Sequence, residues 1–135
     1  MRKIVTLAVA IAAPLLLTVP LAHADPSSGY SENCSQAIAV APNIWATTCT
    51  HMTWYNYGAN HEYYGKVIIN NATGAPVTVR ADLLYGTAVI PGDYITAPAA
   101  GVTEAYSPTV QDPTSNVRGR GYVAASGWST STYAP

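Results

Sequence analysis

From residue 63 onward, apolar side chains recur at every second position, and Gly, Pro, Asn or Asp interrupts each run after a few residues. A period of two belongs to strands with one buried face, whereas a helix needs apolar residues three and four apart. The clearest run is Val77 to Tyr85. Val77, Val79, Ala81 and Leu83 share one side, and Thr78, Arg80 and Asp82 share the other. Before it, Tyr63 to Asn70 sets Val67 and Ile69 opposite Lys66. The link Asn70-Asn71-Ala72-Thr73-Gly74-Ala75-Pro76 is rich in turn formers, so the two runs read as a β-hairpin. Asn71-Ala72-Thr73 also matches a glycosylation sequon, here weighed mainly as turn chemistry.

Further strands are expected at Tyr94–Ala97, Val102–Tyr106, Val117–Ala125 and Trp128–Tyr133, separated by Pro98–Gly101 and by Gln111–Asn116. Gly119 and Gly121 fall on the apolar face of their run, leaving room for a ring such as Trp45 or Trp128. A single helical turn fits only Gln36–Val40, and Pro42 stops it. Short strands without a helical pattern between them predict an all-β, single-domain antiparallel β-sandwich, with a barrel as the alternative.

The N-terminal end reads differently. Arg2 and Lys3 precede an apolar run from Ile4 to Leu21, and Ala22-His23-Ala24 forms a small-x-small site. This is the layout of a secretory signal peptide over residues 1–24. Pro14 and Pro20 interrupt the run, which is short for a membrane span, so no span is expected after cleavage. Cleavage leaves 111 of the 135 residues: a flexible N-terminal arm at 25–33, then one domain over 34–135. An oxidising exterior gives Cys34 and Cys49, the only cysteines, one possible intramolecular disulfide. The signal peptide and strand rhythm together resemble those of small exported bacterial β-sandwich proteins.

The mature chain keeps four basic residues against seven acidic ones, a formal charge of −3. It has no lysine cluster, and nucleic acid is not an expected partner. No nucleophile elbow, zinc-protease helix motif or phosphate loop occurs, so no catalytic residue, cofactor or metal is assigned. His51, His61 and Glu62 lack the spacing of a catalytic metal site.

Aromatic residues crowd the segment from Trp45 to Tyr64. Alternation sends Met52 and Trp54 toward the core and Tyr55 and Tyr57 outward. The outward row of Tyr55 and Tyr57, with Trp54, Tyr63 and Tyr64 nearby, is the candidate ligand-binding face, suited to stacking on sugar rings or anchoring a protein. Arg118 and Arg120 are expected on one face with Tyr122. There they would hold an anion, dock in a protease pocket or pair across strands with Asp82 or Glu104. The expected function is extracellular, non-catalytic recognition of a glycan. The alternatives are an inhibitor of a secreted hydrolase and a small hydrolase using His51 or His61.

Overall fold

A computed structural model describes residues 27–133, so the expected signal peptide lies outside the described residues. The period-two runs become strands throughout, numbered in chain order. The first sheet contains β1 (Gly29–Cys34), β2 (Ile38–Ala41), β3 (Ile44–Tyr55), β4 (Asn60–Asn71), β8 (Gly101–Tyr106) and β9 (Val110–Gln111). The second contains β5 (Val77–Tyr85), β6 (Ala88–Pro91), β7 (Ile95–Ala97), β10 (Val117–Val123) and β11 (Gly127–Tyr133). The sheets run β1-β3-β4-β8 and β11-β10-β5-β6. All pairings are antiparallel, and the two layers form a sandwich and not a closed barrel.

The core lies where the inward faces meet. Ile44, Ala46, Val67 and Ile69 from the first sheet pack with Val79, Ala81, Ala97 and Val123 from the second. Near this cluster the sheets come together backbone to backbone. A Cβ on Gly119 would overlap the Cys49 carbonyl oxygen, and one on Gly65 would overlap that of Asp82. Glycine is required at both positions for this close approach. Polar groups trapped between the layers are satisfied there. Gly119 N donates to Thr50 Oγ1 at 2.7 Å, and the Thr48 and Ser129 hydroxyls lie 2.8 Å apart.

Several sequence expectations change. Residues 63–70 and 77–85 do form strands, but β4 pairs with β3 and β8 while β5 pairs with β10, β6 and β7. The link between them crosses from sheet to sheet instead of closing a hairpin. Asn71 organises that crossing. It is buried, its Nδ2 donates to Ala75 O and Pro98 O, and its Oδ1 accepts from Thr73 N and Oγ1. The sequon asparagine is thus a structural part of the turn.

The expected arm at 25–33 includes most of β1, which pairs with β3 from Gly29↔Trp54 to Cys34↔Cys49. Residues 38–41 form β2 and not a helical turn, and Asn43 takes a φ of 61° in the reversal after Pro42. The space beside Gly119 is filled by the opposite sheet, not by a tryptophan ring. Met52 and Trp54 are half-buried at the end of the sandwich, outside the central cluster, and the Trp54 ring lies against Gly29.

The disulfide forms as expected. Cys34 and Cys49 face each other across β1 and β3, with Cα atoms 4.0 Å apart. Among the described residues, no helix is long and apolar enough to cross a membrane.

Candidate functional site

The tyrosines of the 45–64 segment do not form one patch. Alternation along β4 sends Tyr64 to the outer side of its sheet and Tyr63 to the inner side, beside His61. Tyr55 is half-buried near the end of β3. Tyr57 occupies the reversal between β3 and β4, is 81% exposed and takes a φ of 54°. That conformation is disfavoured for a bulky residue. The two histidines also separate: His51 lies on the outer side, opposite Tyr64, and His61 lies on the inner side, opposite Trp54.

The strands instead assemble two aromatic surfaces, one on the outward face of each sheet. On the first, β1, β3, β4 and β8 bring Tyr30, His51, Tyr64 and Tyr106 into a row. Tyr30 stacks on His51 at 5.4 Å, His51 stacks on Tyr64 at 4.4 Å, and Tyr106 meets Tyr64 edge-on at 5.8 Å. Glu32 lies beside the row, with Oε1 2.6 Å from Lys66 Nζ and 3.4 Å from His51 Nδ1. Burial pushes the Glu32 carboxyl up, but hydrogen bonds and charge from Lys66 and His51 outweigh it and hold the group below the ordinary carboxylate value. Tyr106 donates to Glu104, and that bond, with burial, pushes its phenol up to about 12. Burial is also the main cause that raises Tyr64. Glu62 and Glu104 share this face by register, so it is predominantly acidic.

The second surface is built around Asp82. Strand alternation places Asp82 outward, yet its side chain is fully buried. Arg80, two residues earlier on the same face, grips it through Nε at 2.6 Å and Nη2 at 3.2 Å. Arg120, its cross-strand partner, donates from Nη2 at 2.5 Å and Nε at 3.2 Å. Gly92 N adds a bond at 3.3 Å from the loop after β6. A Cβ on Gly92 would overlap the Ala81 and Tyr106 carbonyl oxygens, so only glycine lets that loop close over the carboxylate. The bond to Asp82 raises the Arg80 guanidinium above its ordinary pKa.

These guanidiniums support aromatic rings. Arg120 Cζ lies 3.7 Å from the centroid of Trp128, and Arg80 Cζ lies 4.8 Å from that of Tyr94. Tyr122 bridges the two rings, 5.6 Å from Tyr94 and 5.1 Å from Trp128. Trp128 remains 43% exposed and Tyr94 56%.

Arg118 and Arg120 lie on one face of β10, as expected, but in different surroundings. Arg120 makes the anticipated pairing with Asp82, although that partner is buried and not at the surface. Arg118, opposite Leu84, lines a separate depression at the strand's start. Three of the four described lysines and arginines belong to the second sheet's face, where Asp82 pairs with two of them, Arg80 and Arg120.

Sequence reasoning placed Arg118, Arg120 and Tyr122 together but missed Tyr94 and Trp128 as their companions. The signal was the outward triplet Thr78, Arg80, Asp82, which had the right alternation but was paired with the wrong neighbouring strand. Tyr30 and Tyr106 were missed because each sits alone in its own segment.

A possible metal grouping of Glu32, Cys34 and Cys49 contains the disulfide itself, whose sulfurs are not thiolate ligands. No protein family, curated protein or solved structure matches this chain.

Proposed function

We propose that the protein is a small secreted, non-catalytic recognition protein that binds a polysaccharide or cell-surface glycan through the Trp128–Tyr122–Tyr94 face. The observation that carries this reading is the support beneath Trp128. Arg120 holds the indole while Asp82 holds Arg120, leaving an exposed ring that needs little ordering on binding. The tyrosine row of the other sheet is less suited to sugar stacking, because Tyr30, His51 and Tyr64 spend ring faces on one another. The charged, apolar and small-residue succession at residues 1–24 supports secretion, and the disulfide is compatible with it.

Tryptophan fluorescence against a panel of soluble polysaccharides tests the proposal. A saturable response is expected, lost in Trp128→Ala and kept in Tyr64→Ala. A silent panel, or a response indifferent to Trp128, would overturn it.

A second reading rests on Tyr57, which is highly exposed in a disfavoured backbone conformation at a hairpin tip. Such strain is found at contact sites, and a lone projecting tyrosine suits a protein partner such as a secreted hydrolase. Stoichiometric inhibition of one enzyme in a hydrolase panel, relieved by Tyr57→Ala, would favour it. The hydrolase reading has less support, since His51 and His61 lie on opposite faces of their sheet.

A further inference from the structure

We infer that the second sheet's face takes a single free chain of a neutral polysaccharide and not the flat surface of a crystalline one. The inference rests on the glycan reading and names its ligand class. It is carried by the tilt between the two exposed rings. Tyr94 and Trp128 stand at 84° and 54° to the plane of Tyr122, so their own planes differ by at least 30°, the difference between those angles.

The tilted rings are also near each other. Arg80 Cζ is 4.8 Å from the Tyr94 centroid and 5.5 Å from that of Trp128, which limits the distance between the rings to about 10 Å. A sugar stacks with its C–H side parallel to an aromatic ring, so one sugar cannot lie flat on both planes. Separate units of one short chain can, provided the chain turns between them. A crystal face holds its sugars in one plane and would meet only one of the two rings.

The tilt is built into the face. Tyr122 meets Tyr94 edge-on at 5.6 Å and is the cross-strand partner of Trp128. Arg80 lies against both exposed rings, and its own position is fixed by two bonds to Asp82. Bringing Tyr94 and Trp128 into one plane would break the Tyr122 contacts or the Arg80 bridge. A ligand that already fits the tilt avoids that cost.

The same ion cluster favours a neutral chain. Arg80 and Arg120 are both committed to Asp82, and Arg118 has its own contacts at the start of β10. Asp93, exposed beside Tyr94, adds a carboxylate to the rim. Thr78 and Thr96 face each other in register and are exposed on the same side as Arg80, where their hydroxyls can donate to and accept from ring hydroxyls.

The test is calorimetric titration of the full mature protein with soluble cello-, laminari-, malto- and chitohexaose and with their monosaccharides. Depletion by microcrystalline cellulose and crystalline chitin is measured alongside. At least one hexasaccharide should bind about tenfold or more tightly than its monosaccharide, because two linked contacts act together. Tyr94→Ala should bring that affinity down to the monosaccharide level, and Tyr94→Phe, which keeps the ring, should retain it. Neither solid should deplete the protein. The comparison of chain lengths uses the wild-type protein, so it holds even if Tyr94→Ala fails to fold.

Depletion by either solid, equal affinity for hexasaccharide and monosaccharide, or unchanged affinity in Tyr94→Ala would overturn the inference. Where that binding is still lost in Trp128→Ala, the proposed function stands without it. A panel silent in every arm would overturn the proposed function as well.

Discussion

On the first sheet the carboxylate beside the aromatic row, Glu32, keeps 26% of its side chain exposed and faces one ammonium group. On the second, Asp82 is fully buried and faces two guanidiniums. The rings follow the same division. Tyr30, His51 and Tyr64 stack on one another, whereas Trp128 and Tyr94 rest on Arg120 and Arg80. Rings that stack on each other close a surface, because each covers its neighbour's face. Rings carried on a cation can leave area for a ligand while the cation fixes their position. The first sheet's rings therefore pack chiefly on one another and the second sheet's on cations as well as on Tyr122, while both faces keep exposed rings, Tyr30 at 70% and Trp128 at 43%.

The largest test of this contrast is stability. Removing one member of a buried ion cluster leaves the others without their counter-charge, so Asp82→Ala should cost about 3–5 kcal/mol. Glu32→Ala, at a half-open pair, should cost about 1 kcal/mol or less. Denaturant midpoints for the two variants measure the difference. Similar losses would mean that the two carboxylates play equivalent parts and would break the comparison.

Next in size is the disulfide. It closes a loop with a sequence separation of 15 residues, worth about 3 kcal/mol in the chain-entropy account. Its position gives the effect a direction. Cys34 and Cys49 hold β1 against β3, and β1 carries both Tyr30 and Glu32. Replacing both cysteines by serine should loosen the Tyr30–His51 stack and leave the Trp128 environment unchanged. NMR shifts of the His51 ring and the Trp128 indole would show whether the faces are independent. A matching disturbance at Trp128 would show coupling through the core.

The sequence made the layer architecture legible because alternation, turn residues and cysteine number are local signals. Val77–Tyr85 carries its own inward and outward faces, and its limits could be read from those residues alone. Pairing was a different matter. The turn formers after Asn70 fit a hairpin as well as a crossing between sheets, and only the tertiary packing of Asn71 against Ala75 and Pro98 distinguishes them. That misplacement hid the second aromatic face: Asp82 was one of two cross-strand partners open to the arginines, but Arg80 could not be put beside Arg120 until β5 was paired with β10. The aromatic-rich segment at 45–64 was conspicuous for its density, yet density in sequence does not fix direction. Tyr63 and Tyr64 are adjacent and lie on opposite sides of one strand.

The smallest expected effect is the acid response of Glu32, and it tests how open the first face is. Lys66 and His51 hold the folded-state pKa of Glu32 below its unfolded value, so the native state favours the ionised carboxylate. Its stabilising contribution is present in full above the unfolded pKa of about 4.3 and is lost as pH falls through the folded value. Replacing Glu32 by Gln removes that proton linkage. Wild type should therefore exceed Glu32→Gln in stability by up to about 1 kcal/mol above pH ~5, with the curves converging toward pH ~3. Denaturant unfolding across that range measures the gap. A gap that stays constant with pH would assign the loss to packing, and one several times larger would place Glu32 in a setting as closed as that of Asp82. Either result would remove the distinction between a solvent-screened face and one built on a buried charge.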